Sequence, residues 1–211
     1  MGVVYLNRSD WAPFLQLTQR LGEQAPARIA AIGQPDVLRR LPLALFCSVK
    51  CPCDLILQTY DLAQQLRQAG VTVISGFHSP MEQECLAILL RGTQPIVVCP
   101  ARSIERMRVS AVHEQPLAEG RLLFLSPFTE KDHRATEQTA LYRNRFVAAL
   151  ADWVFVAYAE PNGKTEQLCR EVVAWGKPLY TLESDANAHL TGMGAVALSP
   201  AGLASHIQAG Y

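Results

Sequence analysis

The chain has 211 residues, 49% hydrophobic and 18% charged, with 13 glycines and 13 prolines. That composition excludes disorder and collagen-like repeats, and the length is enough for one domain with its own buried core. Lys plus Arg and Asp plus Glu number 19 each, so no net field draws the molecule to a polyanion or an anionic membrane, and any nucleic-acid contact must be local.

The opening residues lack a basic segment followed by an apolar run, so they do not read as a secretory signal and a cytoplasmic address is expected. No membrane-spanning stretch is expected either, because the richest apolar segment, residues 146–158, is short and contains Asp152. The six cysteines sit mostly in apolar segments, where free thiols behave as small hydrophobes, and they are expected to be reduced.

In chain order, residues 1–40 read as an N-terminal extension packed on a single domain that spans residues 1–211. Within the extension, Asp10 caps a helix carrying Trp11, Phe14, Leu15 and Leu17, and residues 28–33 read as an edge strand. Residues 43–47 form a near-continuous apolar strand, followed by a helical stripe of Leu55, Ile56, Tyr60, Ala63 and Leu66 that Gly70 stops. A strand over 71–74 leads to Ser79-Pro80-Met81-Glu82, a capping box with proline at the first helical position. Strands follow at 95–99 and 122–125, with a short basic segment at 102–109 between them. A helix over 137–150 precedes a strand at 153–157, a helix over 164–175 ends at Gly176, and strands at 178–181 and 195–198 complete the chain. Strands apolar on both faces and separated by helices specify α/β architecture: a doubly wound, mainly parallel sheet covered on both sides.

In such a sheet, ligands bind beyond the carboxyl ends of the strands where strand order reverses. The candidate residues are therefore Ser48 and Lys50, then Ser75, Gly76, Phe77 and His78, then Arg102, then Ser126 to Phe128, and finally Tyr158 to Glu166. Small and hydroxyl side chains with a few cations suit a phosphate-bearing ligand held at helix amino ends. No G-x-G-x-x-G follows the first apolar strand, and Gly163-Lys164-Thr165 is not a Walker A loop, because Tyr158 stands where its first glycine is required. Cys47, Cys51 and Cys53 lack a fourth ligand for zinc, so neither a metal nor a cofactor is expected.

His78 reads either as a ligand contact and acid/base or as a loop histidine bonded to backbone, and Glu160 and Glu166 read either as general bases or as acids favoured by a helix dipole. Ser79 and Glu82 have a structural role in the capping box. Arg143 and Arg145 flank Asn144 two positions apart, so they cannot share a helix face; one points to the crevice and the other to solvent or an acidic partner. Arg106, Arg108, Lys131, His133 and Arg134 add local positive charge. The aromatics near these loops are Phe77, Phe128, Tyr142 and Tyr158.

The order of strand with Cys47-Ser48, helix, residues 71–76, then Arg143-Asn144-Arg145 before an apolar helix end and the strand at 154–157, resembles the DNA-processing protein DprA (Smf) family over residues 27–190. The resemblance implies an extended Rossmann-like domain that binds single-stranded DNA, acts as a homodimer and hands the strand to a RecA-type recombinase in natural transformation. It assigns binding roles to Ser48, Ser75, Gly76, Arg143, Asn144 and Arg145. The chain departs from the pattern at Cys47, where the family has glycine, at Val49, where it has arginine with Lys50 one place late, and across Phe77 to Glu82. Asn162-Gly163-Lys164 replaces a Ser-Gly-Ser-like loop.

A second resemblance is carried by Pro161-Asn162-Gly163-Lys164-Thr165-Glu166, which looks like a degraded motif of the lysine-decarboxylase-like LOG phosphoribohydrolases and would make Glu166 the residue on which cleavage of a nucleoside monophosphate depends. A non-catalytic nucleotide-sensing domain on the same fold is the third reading.

Overall fold

The computed structural model describes residues 2–7, 13–39 and 42–210. Its strands are β1 (Val4–Asn7), β2 (Arg28–Gly33), β3 (Leu43–Phe46), β4 (Val73–Ser75), β5 (Ile96–Val98), β6 (Leu122–Ser126), β7 (Trp153–Val156), β8 (Leu179–Leu182) and β9 (Val196–Leu198). They form one sheet in the order β1-β2-β6-β5-β4-β3-β7-β8-β9. Every pairing from β6 to β9 is parallel, while β2 runs antiparallel to both β1 and β6. The doubly wound, mainly parallel sheet expected from the apolar runs is therefore the fold of this chain.

The helices are α1 (Pro13–Leu21), α2 (Cys53–Gln68), α3 (Pro80–Leu90), α4 (Ala111–Ala118), α5 (Glu137–Leu150), α6 (Lys164–Ala174), α7 (Ala188–Gly192) and α8 (Pro200–Ala209). The period of two along the strands divides the core into two layers. Ala44 and Phe46 of β3, with Val154 and Val156 of β7, pack among Phe14, Leu17, Phe146, Leu168 and Val172. Leu43 and Leu45, with Phe155, pack on the other face among Leu55, Leu62, Cys85, Leu89, Leu203 and Ile207. Both faces being covered explains why these strands carry no polar alternation.

Residues 28–33 are not an edge strand, because β1 takes the edge and pairs with them in register from Val4↔Ala31 to Asn7↔Arg28. Neither β1 nor α4 is legible in the apolar pattern: β1 is largely exposed, and α4 contains Pro116. In α1, Phe14 and Leu17 are buried while Leu15 faces solvent; the expected cap Asp10 and Trp11 lie outside the described residues.

The carboxyl end of α5 is closed by cations. Arg20 donates to Ala149 O, and the buried Lys177 ammonium donates to Ala148 O and Ala151 O. Burial, reinforced by the charge of Arg20 and opposed by Asp152, pushes the Lys177 pKa down to about 7. Among the described residues no helix is long and apolar enough to cross a membrane.

Candidate functional site

Strand order reverses at β3, which has β4 on one side and β7 on the other, so the loops leaving β3 and β7 part above the sheet. This is the place where an open α/β sheet forms a ligand crevice. A cavity of about 320 Å³ lies there, and its lining includes Ser48, His78, Arg143, Asn144, Gly163, Lys164 and Thr165. These seven candidates, scattered from residue 48 to residue 165, are brought together.

Hydrogen bonds lace its two principal loops to each other. Ser48 N–H donates to Tyr158 O at 2.9 Å, and the Ser48 hydroxyl accepts from Glu160 N–H at 3.0 Å and donates to Thr165 Oγ1 at 3.1 Å. Asn162 adopts a left-handed backbone, φ 60°, which turns the chain into α6. Gly163 is the N-cap of α6 and supplies no side-chain cap. A Cβ there would lie 2.8 Å from Glu160 O, so the turn is built around glycine.

The opposite wall is a polar hub beneath α3. Ser79 and Glu82 form the expected capping box, but Glu82 does more than cap. Its buried carboxylate accepts from Cys47 N–H at 3.1 Å and from His78 N–H at 2.8 Å as well as from Ser79 N–H, tying the loop after β3 to the loop after β4. Burial pushes the Glu82 carboxyl up from its usual range, while these three N–H donors and the charge of Arg143 pull it down. A glutamate assigned only a local cap is thus the junction of two functional loops. Its position at N3 shows the cap in the sequence; the reach to Cys47 requires the sheet.

Arg143 is 3% exposed and acts as a strut. It donates from Nη1 to Cys99 O at 2.9 Å and from Nε to Asn144 Oδ1 at 2.7 Å, and burial lowers its pKa. Gly76 lies directly under its guanidinium, where any Cβ would overlap the side chain. Ser75 is fully buried, and its hydroxyl accepts from Phe77 N–H at 3.2 Å, so Ser75 and Gly76 support the cavity from below and do not line it.

Other expected residues lie elsewhere. Lys50 is exposed on the loop after β3, outside the cavity lining. Arg102 lines a separate cleft of about 380 Å³ with Ser103, Glu105, Arg106, Glu130 and His133. Arg145 points away from the crevice to an acidic partner, donating to Glu171 at 2.6 Å and to Gln24. Glu166, with a side chain 6% exposed, accepts from Asn162 N–H at 2.9 Å and Arg170 at 2.8 Å and does not line the cavity. Of the four aromatics, Phe77 and Phe128 are buried, Tyr142 donates to Gln24 O, and Tyr158 is half-buried beside the crevice.

The cavity is electrically mixed. Lys164 is paired with Glu137, Arg143 lies near Glu82, and Glu160 is exposed at the rim. The ability to hold an anion rests on the amino end of α6, where no side chain caps the first-turn amides and the Ser48 and Thr165 hydroxyls stand beside them.

The profile of the family described as DNA recombination-mediator protein A matches residues 3–208. Among solved structures, DNA processing protein A from Helicobacter pylori, described as having a unique single-stranded DNA binding mode, is 21% identical. It superposes with a TM-score of 0.78 over 99% of this chain and 97% of that one. DNA processing protein A from Streptococcus pneumoniae is 16% identical, with a TM-score of 0.76 over 94% of this chain and 71% of that one. The molybdenum cofactor carrier protein from Chlamydomonas reinhardtii shares the fold more distantly, at 13% identity and a TM-score of 0.54 over 81% of this chain and 98% of that one. No curated protein matches the chain.

Proposed function

The chain belongs to the DNA recombination-mediator protein A family, and from that premise we propose that it binds single-stranded DNA, seating a backbone phosphate at the amino end of α6. The observation that carries this reading is the uncapped first turn at Gly163-Lys164-Thr165, placed at the reversal of strand order and joined to Ser48 across the crevice. First-turn amides and the helix dipole favour a phosphate, and a lysine at the same turn adds a mobile charge. An incoming phosphate takes the Lys164 ammonium from Glu137, which accounts for a neutral protein binding a polyanion at one point.

The exposed cations Arg102, Arg106, Lys131 and Arg134, with His133 beside them at the carboxyl ends of β5 and β6, give the strand a second surface contact, and half-buried Tyr158 offers a face for a base. In the same reading the bound strand passes to a RecA-type recombinase, and two copies of the 23.2 kDa chain assemble, which a solution mass measurement tests.

Fluorescence anisotropy with labelled oligo-dT tests the reading. Lys164→Ala is expected to weaken binding about fivefold and to reduce the slope of log affinity against log salt by about 1. Unchanged affinity and slope overturn the assignment. Arg143→Ala is a poor probe, because it removes a buried strut along with a charge.

A further inference from the structure

Beside the crevice, on the far side of the Lys164 side chain, α5 and α6 enclose a groove of about 720 Å³, within the ordinary size range of ligand clefts. Lys164, Leu141 and Asn144 line both the groove and the crevice, so the two are neighbours sharing a wall. The groove floor is apolar: Leu168 and Phe128 are buried, and Phe128 meets Tyr142 edge to face with centroids 5.7 Å apart. Its walls carry the side-chain amides of Gln24, Gln138 and Gln167.

The cations in this groove are already paired. Arg145 is held by Glu171 and Gln24, Lys164 by Glu137, and the Asp132 carboxylate accepts from Thr129. Beyond the Lys164 that it shares with the crevice, the groove therefore offers a phosphate only Arg145, which Glu171 and Gln24 already hold. Gln138 and Gln167 are exposed, and their amides have no partner among the described residues. Each amide presents a donor and an acceptor side by side, the complement of the polar edge of a nucleobase, and the apolar floor suits its flat face.

We propose that the α5–α6 groove is a nucleobase subsite, taking the base of a nucleotide whose phosphate lies in the adjoining crevice. The proposal rests on the single-stranded DNA reading above and adds a residue-level division of labour to it. Lys164 and the first turn of α6 hold the backbone, while Gln138 and Gln167 hold an uncharged heterocycle.

The test compares two strands of equal length on the full chain, oligo-dT and an abasic oligomer with the same phosphates, measured by anisotropy. The wild type is expected to prefer the base-bearing strand by about tenfold, the scale of one well-held base. Gln138→Ala with Gln167→Ala is expected to lose most of that preference while binding the abasic strand as before. Both positions are exposed on helices, where alanine is the stronger helix former, so the fold is retained. Equal wild-type affinity for the two strands, or a preference that survives in the double variant, overturns the subsite. Failure of the wild type to bind either strand overturns the DNA reading itself.

Discussion

Two helices aim their amino ends into one crevice and are finished in opposite ways. At α3 the first helical residue is Pro80, which has no N–H, Ser79 accepts from Glu82 N–H, and the Glu82 carboxylate accepts from the loop donors Cys47, His78 and Ser79. At α6 the N-cap is a glycine with no side chain to offer, and the Glu166 carboxylate turns back to Asn162 outside the helix. The backbone dipoles are alike, so the dipole does not decide which end takes a ligand. What decides is whether the protein itself has already used the donors.

Glu82→Ala attacks the sealed end most directly. It leaves three N–H groups without their acceptor and the buried Arg143 without its nearby opposite charge, and is expected to cost about 3–5 kcal/mol in urea unfolding. A cost below about 1 kcal/mol would mean that Glu82 is a cap and nothing more. Gly76→Ala pushes on the same hub from below by forcing the Arg143 guanidinium off its seat, with an expected loss of up to about 3 kcal/mol.

A third helix end, the carboxyl end of α5, is sealed by Lys177, and it makes stability depend on pH. The folded Lys177 titrates at about 7 against an ordinary 10.5, so between these values the unfolded chain binds more protons. Stability should therefore rise as pH increases from 7, by about 2 kcal/mol up to the region near 9.0 where cysteines of the unfolded chain begin to ionise. Lys177→Met should flatten that rise in thermal melts, and a slope unaffected by the change would break the account. The smallest expected effect is at the open end. Thr165→Val removes the Ser48–Thr165 hydrogen bond, expected to cost about 1 kcal/mol in stability and to weaken oligo-dT binding modestly.

Much of this architecture is readable in the chain. The bounds of α5 coincide with the helix read at 137–150, and those of α6 differ from the reading by one residue. Gly70, Gly120 and Gly176 close helices with positive φ, and Gly70 and Gly176 are read as stops from sequence. The two-apart spacing of Arg143 and Arg145 correctly sends one inward and the other to an acid, because helical geometry alone separates them. β1 escapes because its residues are exposed and pair only at the rim, and α4 escapes because Pro116 breaks the expected pattern.

The site is less legible than the fold. Ser48 and Lys50 read alike, as do Arg102 and Lys164, yet one of each pair lines the crevice and the other does not. The even charge of 19 against 19 gives no hint that Lys164 meets Glu137, that Arg145 meets Glu171, or that Arg143 lies over Gly76.

By itself the sequence determined the succession of strands and helices, the capping box at Ser79 and the glycine turn before α6, since periodicity, caps and turn conformations act across a few residues. Only the tertiary structure decided which cations are spent on acids and which helix end stays open. Those outcomes depend on the sheet order, which sets residues more than a hundred positions apart, such as Ser48 and Thr165, within hydrogen-bonding distance.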